Sequence, residues 1–304
     1  MRLYTHPACL AHDPGAGHPE SPARLRAVLQ ALDDPRLASI TRVVAPPALR
    51  AQLARVHDVA LIDRIFASAP RSGHVQLDPD TAMSPDSLEA ALHAAGAVCA
   101  AVDALIDGTD ARAFCAVRPP GHHATHDAAM GFCLFNNIAV GAAQALARGI
   151  ERVAIVDFDV HHGNGTQDIF GNEPRVLYAS THQSPLYPGT GASGETGVGN
   201  VVNAPLPPGA GSAQFRAAMA EIVLPRLTEF RPQLLMISAG FDAHRLDPLA
   251  SLNLDADDFA WITRELVAVA NAHAQGRVVS SLEGGYSLAA LRESTVAHVA
   301  ALME

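Results

Sequence analysis

Cysteine is scarce in this chain, and basic side chains are outnumbered by acidic ones. The four cysteines, Cys9, Cys99, Cys115 and Cys133, have no CxxC spacing. That argues against a disulfide framework and a cysteine zinc site, and the four read as reduced core thiols. Lys and Arg total 21 against 31 Asp and Glu, a formal net charge of −10. Such a balance disfavours non-specific nucleic-acid binding and mildly favours cationic substrates. No stretch has the ~18 uninterrupted apolar residues of a membrane span. The opening MRLYTHPACLAHD lacks the apolar run of a signal peptide. Linkers, repeats and low-complexity segments are also missing. The expectation is a single cytoplasmic domain over residues 1–304, with no nucleic-acid or membrane partner; a homo-oligomer is compatible with this reading.

What is present is 49% hydrophobic and 17% charged residues, as in a well-packed globular protein. Short apolar runs alternate with helical patterns. Strands are expected at residues 1–5, 41–45, 113–117, 153–158, 176–181, 233–238 and 277–282, with 201–204 a short strand or a buried loop and 75–83 a loop or irregular strand. Helices are expected from Ser21-Pro22 to about Asp33, from Ser84-Pro85 to about Asp107, and from about Asn137 to Arg148. Further helices are expected over Ser212–Phe230, kinked at Pro225, over Asp257–Ala274, and from about Ser287. Strands alternating with crossovers long enough for helices give an α/β fold with a parallel sheet.

The chemistry concentrates in VAIVDFDVHHGNG, residues 153–165. An apolar strand runs straight into Asp157, Asp159 and His161, which are two residues apart and so project to one side. A carboxylate and an imidazole on one face suit a divalent ion such as zinc. Three other apolar strands also end in polar chemistry: His122-His123, Asp242 and Tyr286. If these ends share one sheet edge, Asp159, His161 and Asp242 make a three-ligand site with positions left for water and a substrate oxygen. His122 and His123 then supply the base and the acid, with Asp157 and Asn164 as their hydrogen-bond partners. Tyr286, on a Gly-Gly turn, supplies a hydroxyl for a developing oxyanion.

RPPGHHA, GFCLFNN, VDFDVHHGNGTQ, YPGTG, SAGFDAH and LEGGY, taken in order, resemble the zinc-dependent histone deacetylase family. GHPESPARL and Asn164 favour its class II and bacterial histone deacetylase-like amidohydrolase branch. The resemblance spans about residues 5–290. It implies an arginase/deacetylase-type fold, with an eight-stranded parallel sheet and long loops at the C-terminal strand ends. The implied activity is zinc-dependent removal of acetyl or similar short acyl groups from lysine-like primary amines. His123 is then the general base and acid, and His122 is mainly electrostatic and paired with Asp157. Phe132 and Tyr187 are the walls of an acyl-lysine tunnel, with Gly131 and Gly285 beside the substrate. A potassium ion would take Asp157, Ser180 and the carbonyls of Asp159, His161 and Thr181, with a second monovalent site near Phe170 and Val176.

The same residues serve acetylpolyamine hydrolases, so the substrate is an acetyl-lysine peptide or an acetylated small amine. Glu195, Glu283 and His18 are rim candidates for a cationic tail, and the resemblance puts the rim position for a substrate-backbone contact near Met83-Ser84, with Asp80 close by. Two other readings are weaker. A binuclear manganese ureohydrolase needs more carboxylates, but Gly163 and His244 stand where they would be required. A non-catalytic binder of acylated ligands has no need of His122, His123 and Tyr286 together.

Overall fold

The computed structural model describes residues 1–304. Ten strands form two sheets: β1 (Arg2–Thr5), β2 (Thr41–Val44), β3 (Val75–Asp78), β4 (Thr81–Met83), β5 (Arg112–Cys115), β6 (Val153–Asp157), β7 (Val176–Gln183), β8 (Val201–Leu206), β9 (Leu234–Ala239) and β10 (Val278–Leu282). Eight of them build one sheet in the order β2-β1-β5-β10-β9-β6-β7-β8, with every pairing parallel. The seven strands read from the apolar runs are present, and residues 201–204 are a strand, within β8. The β3–β4 pair is a separate antiparallel hairpin, in a stretch expected only as a loop or irregular strand.

The four strands with polar ends, β5, β10, β9 and β6, are consecutive neighbours at the centre of the large sheet. The central strands are buried on both faces, which is why they read as continuous apolar runs rather than alternating ones. Parallel strands end on the same edge, so their terminal loops must converge there. One core of 82 buried residues extends from Leu3 to Leu302. The helix Ser87–Ile106 is long and apolar enough to cross a bilayer by length and composition. Most of it is buried in the fold, and Glu89, His93 and Asp103 interrupt its apolar run.

Two helix boundaries depart from expectation. The long helix begins at Ser87 rather than at Ser84-Pro85. The Ser84 hydroxyl lies 3.0 Å from that of Ser87, and the Ser84 N–H donates to Ser87 Oγ at 2.7 Å, so Ser84 belongs to the entry turn. The expected kink at Pro225 is a π-helical turn, Met219–Val223, between the helices Ser212–Ala218 and Leu224–Phe230. Proline cannot donate to the preceding turn and crowds its carbonyl, and widening that turn accommodates both effects.

His298 lies in the core, fully buried, between Thr263 Oγ1 at 2.6 Å and Ser280 Oγ at 2.8 Å. Burial pushes its pKa down to about 3. The folded state therefore keeps it neutral while the unfolded chain protonates it near ~6.5. Its contribution to stability is intact above that pH and is lost as pH falls toward the folded value. In pH-dependent urea unfolding, His298→Gln should flatten the loss of stability between about pH 6 and 4 relative to wild type. An identical slope in both proteins would contradict this.

Candidate metal and catalytic site

At the C-terminal edge of β6 and β9, Asp159, His161 and Asp242 place one ligand atom each within 4.8 Å of one another, and all three are buried. His161 Nδ1 lies 3.2 Å from Asp159 Oδ1 and 3.2 Å from Asp242 Oδ2. Backbone donors hold both carboxylates: the Gly284 and His161 N–H groups donate to Asp159, and the Val160 N–H donates to Asp242. A Cβ on Gly284 or Gly240 would strike these carboxylate oxygens, so the strand ends must be glycine here. Burial, followed by the neighbouring charge of Asp159, pushes Asp242 up to about 7. Burial also opposes ionisation of Asp159, but His122 and His161 outweigh it and hold that group low. Two buried carboxylates this close repel one another. Burial opposes a charge on His161, yet without a metal between them the carboxylates draw a proton onto it and raise it to about 10. A divalent ion relieves the conflict, and the oxygen-and-nitrogen donor set fits zinc.

A second trio with ligand potential, His6, Glu89 and His93, lies elsewhere. Its two rings stack face to face, with centroids 3.4 Å apart and planes within 1°. An ion in the plane of one ring would therefore lie far from the plane of the other.

The His122–His123 pair, on the loop after β5, faces the first trio and is divided electrostatically. His122 Nδ1 lies 3.0 Å from Asp157 Oδ2, which also accepts from the Tyr178 hydroxyl at 3.2 Å. Burial disfavours its charge, yet Asp157 and Asp159 outweigh burial and raise it to about 10. His123 moves the opposite way. Burial and then the charge of His122 hold it well below its ordinary range. Its Nδ1 lies 2.8 Å from Asn164 Oδ1, which makes Nδ1 the donor and leaves the Nε2 lone pair free. The two imidazoles, adjacent in sequence, therefore carry different charges.

The side chains open onto a cavity of about 240 Å³ lined by Asp80, His123, Gly131, Phe132, His161, Leu186, Tyr187, Leu249 and Tyr286. Phe132 adopts a left-handed backbone, φ 67. Its N–H donates to Thr81 Oγ1 and that of Gly131 to Asp80 Oδ1, each at 3.0 Å, so the β3–β4 hairpin holds the strained aromatic wall. A side chain on Gly131 would meet the His123 ring at 2.5–2.8 Å. Leu186 and Leu249 were not anticipated. Tyr187 is the neighbour of one, and the Asp-Pro-Leu after Asp242 is the only local signal for the other. Gly285 does not line the cavity; it forms the turn behind Tyr286.

Other expectations need correction. Glu283 is fully buried and belongs to no rim. Its carboxylate accepts from the Gly121 and His122 N–H groups, bracing the histidine loop from below. Glu195 is bound to Gln167 and to the Gly191 and Ala192 N–H groups and lines no part of the cavity. His18 stands beside the cavity wall, edge-on to Phe132 with ring centroids 4.7 Å apart and with Nε2 3.4 Å from the Asp80 carbonyl oxygen. His162 faces away from the trio, bonded to Thr190 and Gln167. The second monovalent site is already filled. Asn200 Nδ2 donates toward the carbonyls of Phe170, Glu173 and Val176 at 2.7, 3.0 and 2.8 Å, leaving no place for an ion. At the first site Asp157 and Ser180 are paired across β6 and β7, and the buried Asp159 and His161 carbonyls accept no backbone hydrogen bond. That arrangement suits a monovalent cation.

The geometry can be compared with known proteins. Residues 18–302 match the family described as Histone deacetylase domain. The chain belongs to the histone deacetylase family. It is 44% identical over 280 residues to a histone deacetylase-like amidohydrolase of Pseudomonas aeruginosa, covering 90% of this chain and 73% of that one. It is 41% identical over 289 residues to a probable deacetylase of Archaeoglobus fulgidus, covering 93% and 80%. The crystal structure of the HDA15 HD domain superposes with a TM-score of 0.94 at 35% identity, covering all of this chain and 91% of that one. The expected α/β fold with its eight-stranded parallel sheet is therefore that of the family, and the chain is a deacetylase-family hydrolase.

A buried ion network supports the Tyr286 turn. Arg118 grips the Glu20 carboxylate with Nε and Nη2, and Arg24 reaches the same carboxylate at 2.8 Å. Arg24 also donates to the Gly285 and Glu283 carbonyls, and its guanidinium lies 4.8 Å from the Tyr286 ring centroid. Burial alone would push Glu20 up, but Arg118, His12 and Arg24 reverse this and hold it well below the ordinary carboxylate range. Its stabilisation is thus present at neutral pH and is lost only as pH falls through that depressed value. Glu20→Gln leaves buried guanidinium charge uncompensated and should cost roughly 3–5 kcal/mol by denaturant unfolding at pH 7. An unchanged midpoint would contradict the role of the network.

Proposed function

We propose that the chain is a zinc-dependent amidohydrolase that removes acetyl, or a similar short acyl group, from a lysine-like primary amine. The observation that carries this reading is one buried site in which the carboxylate–imidazole trio, an uncharged histidine and a tyrosine line the end of an apolar cavity. Asp159, His161 and Asp242 would hold the zinc. When bound, it would lower the pKa of water and polarise the acyl carbonyl.

The chain's own residues divide the remaining work. Phe132, Tyr187, Leu186 and Leu249 receive the aliphatic chain, and the cavity carries a single carboxylate, Asp80. Such a lining favours an uncharged alkyl stem with its charged or peptide portion left outside. Water attacks the carbonyl carbon and gives a proton to His123 Nε2, which Asn164 holds in the accepting tautomer. The Tyr286 hydroxyl donates to the oxygen as negative charge develops on it. His123 returns its proton to the departing nitrogen as the C–N bond breaks, leaving a carboxylic acid and an amine, and the acid proton then passes to the amine to give carboxylate and ammonium. His122, kept cationic beside Asp157, adds positive potential to the site. Asp157, Ser180 and the carbonyls of Asp159, His161 and Thr181 would hold one potassium ion that tempers the Asp157 charge.

Acetyl-lysine peptides should be turned over, and because the leucine-lined walls would also take the identical butyl stem of acetylputrescine, a side-by-side comparison with acetylputrescine and acetylspermidine sets the substrate class. A preference for the acetylpolyamines would reassign the substrate class, and no turnover of any short acyl amide would favour a non-catalytic binder. Tyr286→Phe should lower kcat by roughly 10²-fold or more, the usual loss for one oxyanion donor. Near wild-type kcat would remove Tyr286 from this role.

A further inference from the structure

Between the metal-binding trio and Tyr286 lies an irregular segment, residues 243–250, that the proposed chemistry has not used. It contains Asp247, a carboxylate only 7% exposed. Its two oxygens are committed in different directions. Oδ2 accepts from the Tyr286 N–H at 2.6 Å and from the Ser287 N–H at 3.2 Å. Oδ1 accepts from the Leu249 N–H at 3.0 Å. Tyr286 and Leu249 both line the cavity, so one side chain holds the backbone of both.

The need for such a brace follows from the local structure. Tyr286 follows Gly284 and Gly285, the latter at φ 119, which is the most permissive backbone in the neighbourhood. On the N-terminal side Arg24 fixes the turn by taking the Glu283 and Gly285 carbonyls. On the C-terminal side Ser287 caps the helix Leu288–Met303 by accepting from Ala290. The N–H groups of Tyr286 and Ser287 lie ahead of that helix and have no partner inside it. Asp247 takes both. Tyr286 is therefore held through its carbonyl neighbours from one side and through its own N–H from the other.

We infer that Asp247 is a positioning residue for the Tyr286 hydroxyl and couples it to the Leu249 wall of the cavity. It touches neither substrate nor metal position and acts through the two backbones it holds. Loss of its charge-assisted bonds frees the Gly-Gly-Tyr turn, and displacement of a reacting group by about 1 Å costs up to roughly 10²-fold in rate. The kinetic part of this inference rests on the hydrolase reading above. The structural part does not.

The near-isosteric Asp247→Asn is the primary test and Asp247→Ala the secondary one, each made in the wild-type and the Tyr286→Phe backgrounds. An amide presents only one oxygen to the two sets of donors, so Asp247→Asn breaks at least one set without opening a cavity. In the wild-type background kcat should fall roughly 10- to 100-fold on an N-acetyl-lysine-type amide. In the Tyr286→Phe background the same substitution should lower kcat by under about 2-fold, because residues acting as one unit are not additive. KM should rise in both backgrounds through Leu249. Equal losses of kcat in both backgrounds, or wild-type kcat in Asp247→Asn, would overturn the inference.

A second readout works without turnover. The chain has four tyrosines, Tyr4, Tyr178, Tyr187 and Tyr286, so ring-labelled NMR resolves each, and Tyr286→Phe assigns the one that matters. In Asp247→Asn the Tyr286 resonance should shift or broaden while Tyr4 and Tyr178 hold. An unmoved Tyr286 resonance would refute the positioning role. If the wild-type enzyme hydrolyses no acylated amine, the hydrolase reading falls, and this resonance alone decides the place of Asp247.

Discussion

Two buried carboxylates pointing at one imidazole nitrogen form the constraint on which the rest of this structure depends. Asp159 and Asp242 cannot both remain charged in a dry site without compensation, because like charges a few ångströms apart raise one another's pKa. The fold answers in part with backbone N–H donors from Val160, His161 and Gly284. It also keeps glycine at 240 and 284, where any side chain would collide with the carboxylates. The remaining charge is what a dication would neutralise. The cost of assembling this trio explains why so much of the surrounding sequence is small, buried and hydrogen-bonded.

The site also unites segments that are distant in the chain. Its carboxylate–imidazole trio comes from the ends of β6 and β9, its histidine pair from the loop after β5, and its tyrosine from the loop after β10. These four strands adjoin at the centre of the sheet. Beneath them Glu20 and Arg24, from near the N-terminus, reach across to Arg118 and the final Gly-Gly-Tyr turn. A buried ion pair of this kind is weak as a source of stability but strong as a specifier of geometry where each charge has several fixed partners. Here the guanidiniums are saturated by one carboxylate and five backbone carbonyls.

Much of this was legible in the residues themselves. The central strands β6 and β9 announce themselves as apolar runs, because strands covered on both faces leave no polar alternation, whereas the edge strand β2, Thr-Arg-Val-Val, is largely exposed. The polar ends of four strands carry Asp159, His161, Asp242, His122, His123 and Tyr286, and their meeting required only that the strands be neighbours. What escaped depends on contacts that local periodicity does not encode. Ser84-Pro85 has the composition of a helix start, yet its hydroxyl is spent on Ser87. Glu283 looks like an exposed charge beside a turn and is instead the buried acceptor beneath Gly121 and His122. Asn200 looks like a loop residue and instead fills the three-carbonyl cluster suggested for a second ion. Leu249 and Asp247 lie in an irregular loop, where no pattern of spacing marks a cavity wall or its brace.

The central claim is that a single ion sits among Asp159, His161 and Asp242. Anomalous diffraction at the zinc absorption edge, with metal analysis of the same purified protein, tests it most directly. One zinc per chain and one anomalous peak between those three side chains are expected. Two ions bridged at that position, or a peak at His6, Glu89 and His93 with none at the strand ends, would contradict it.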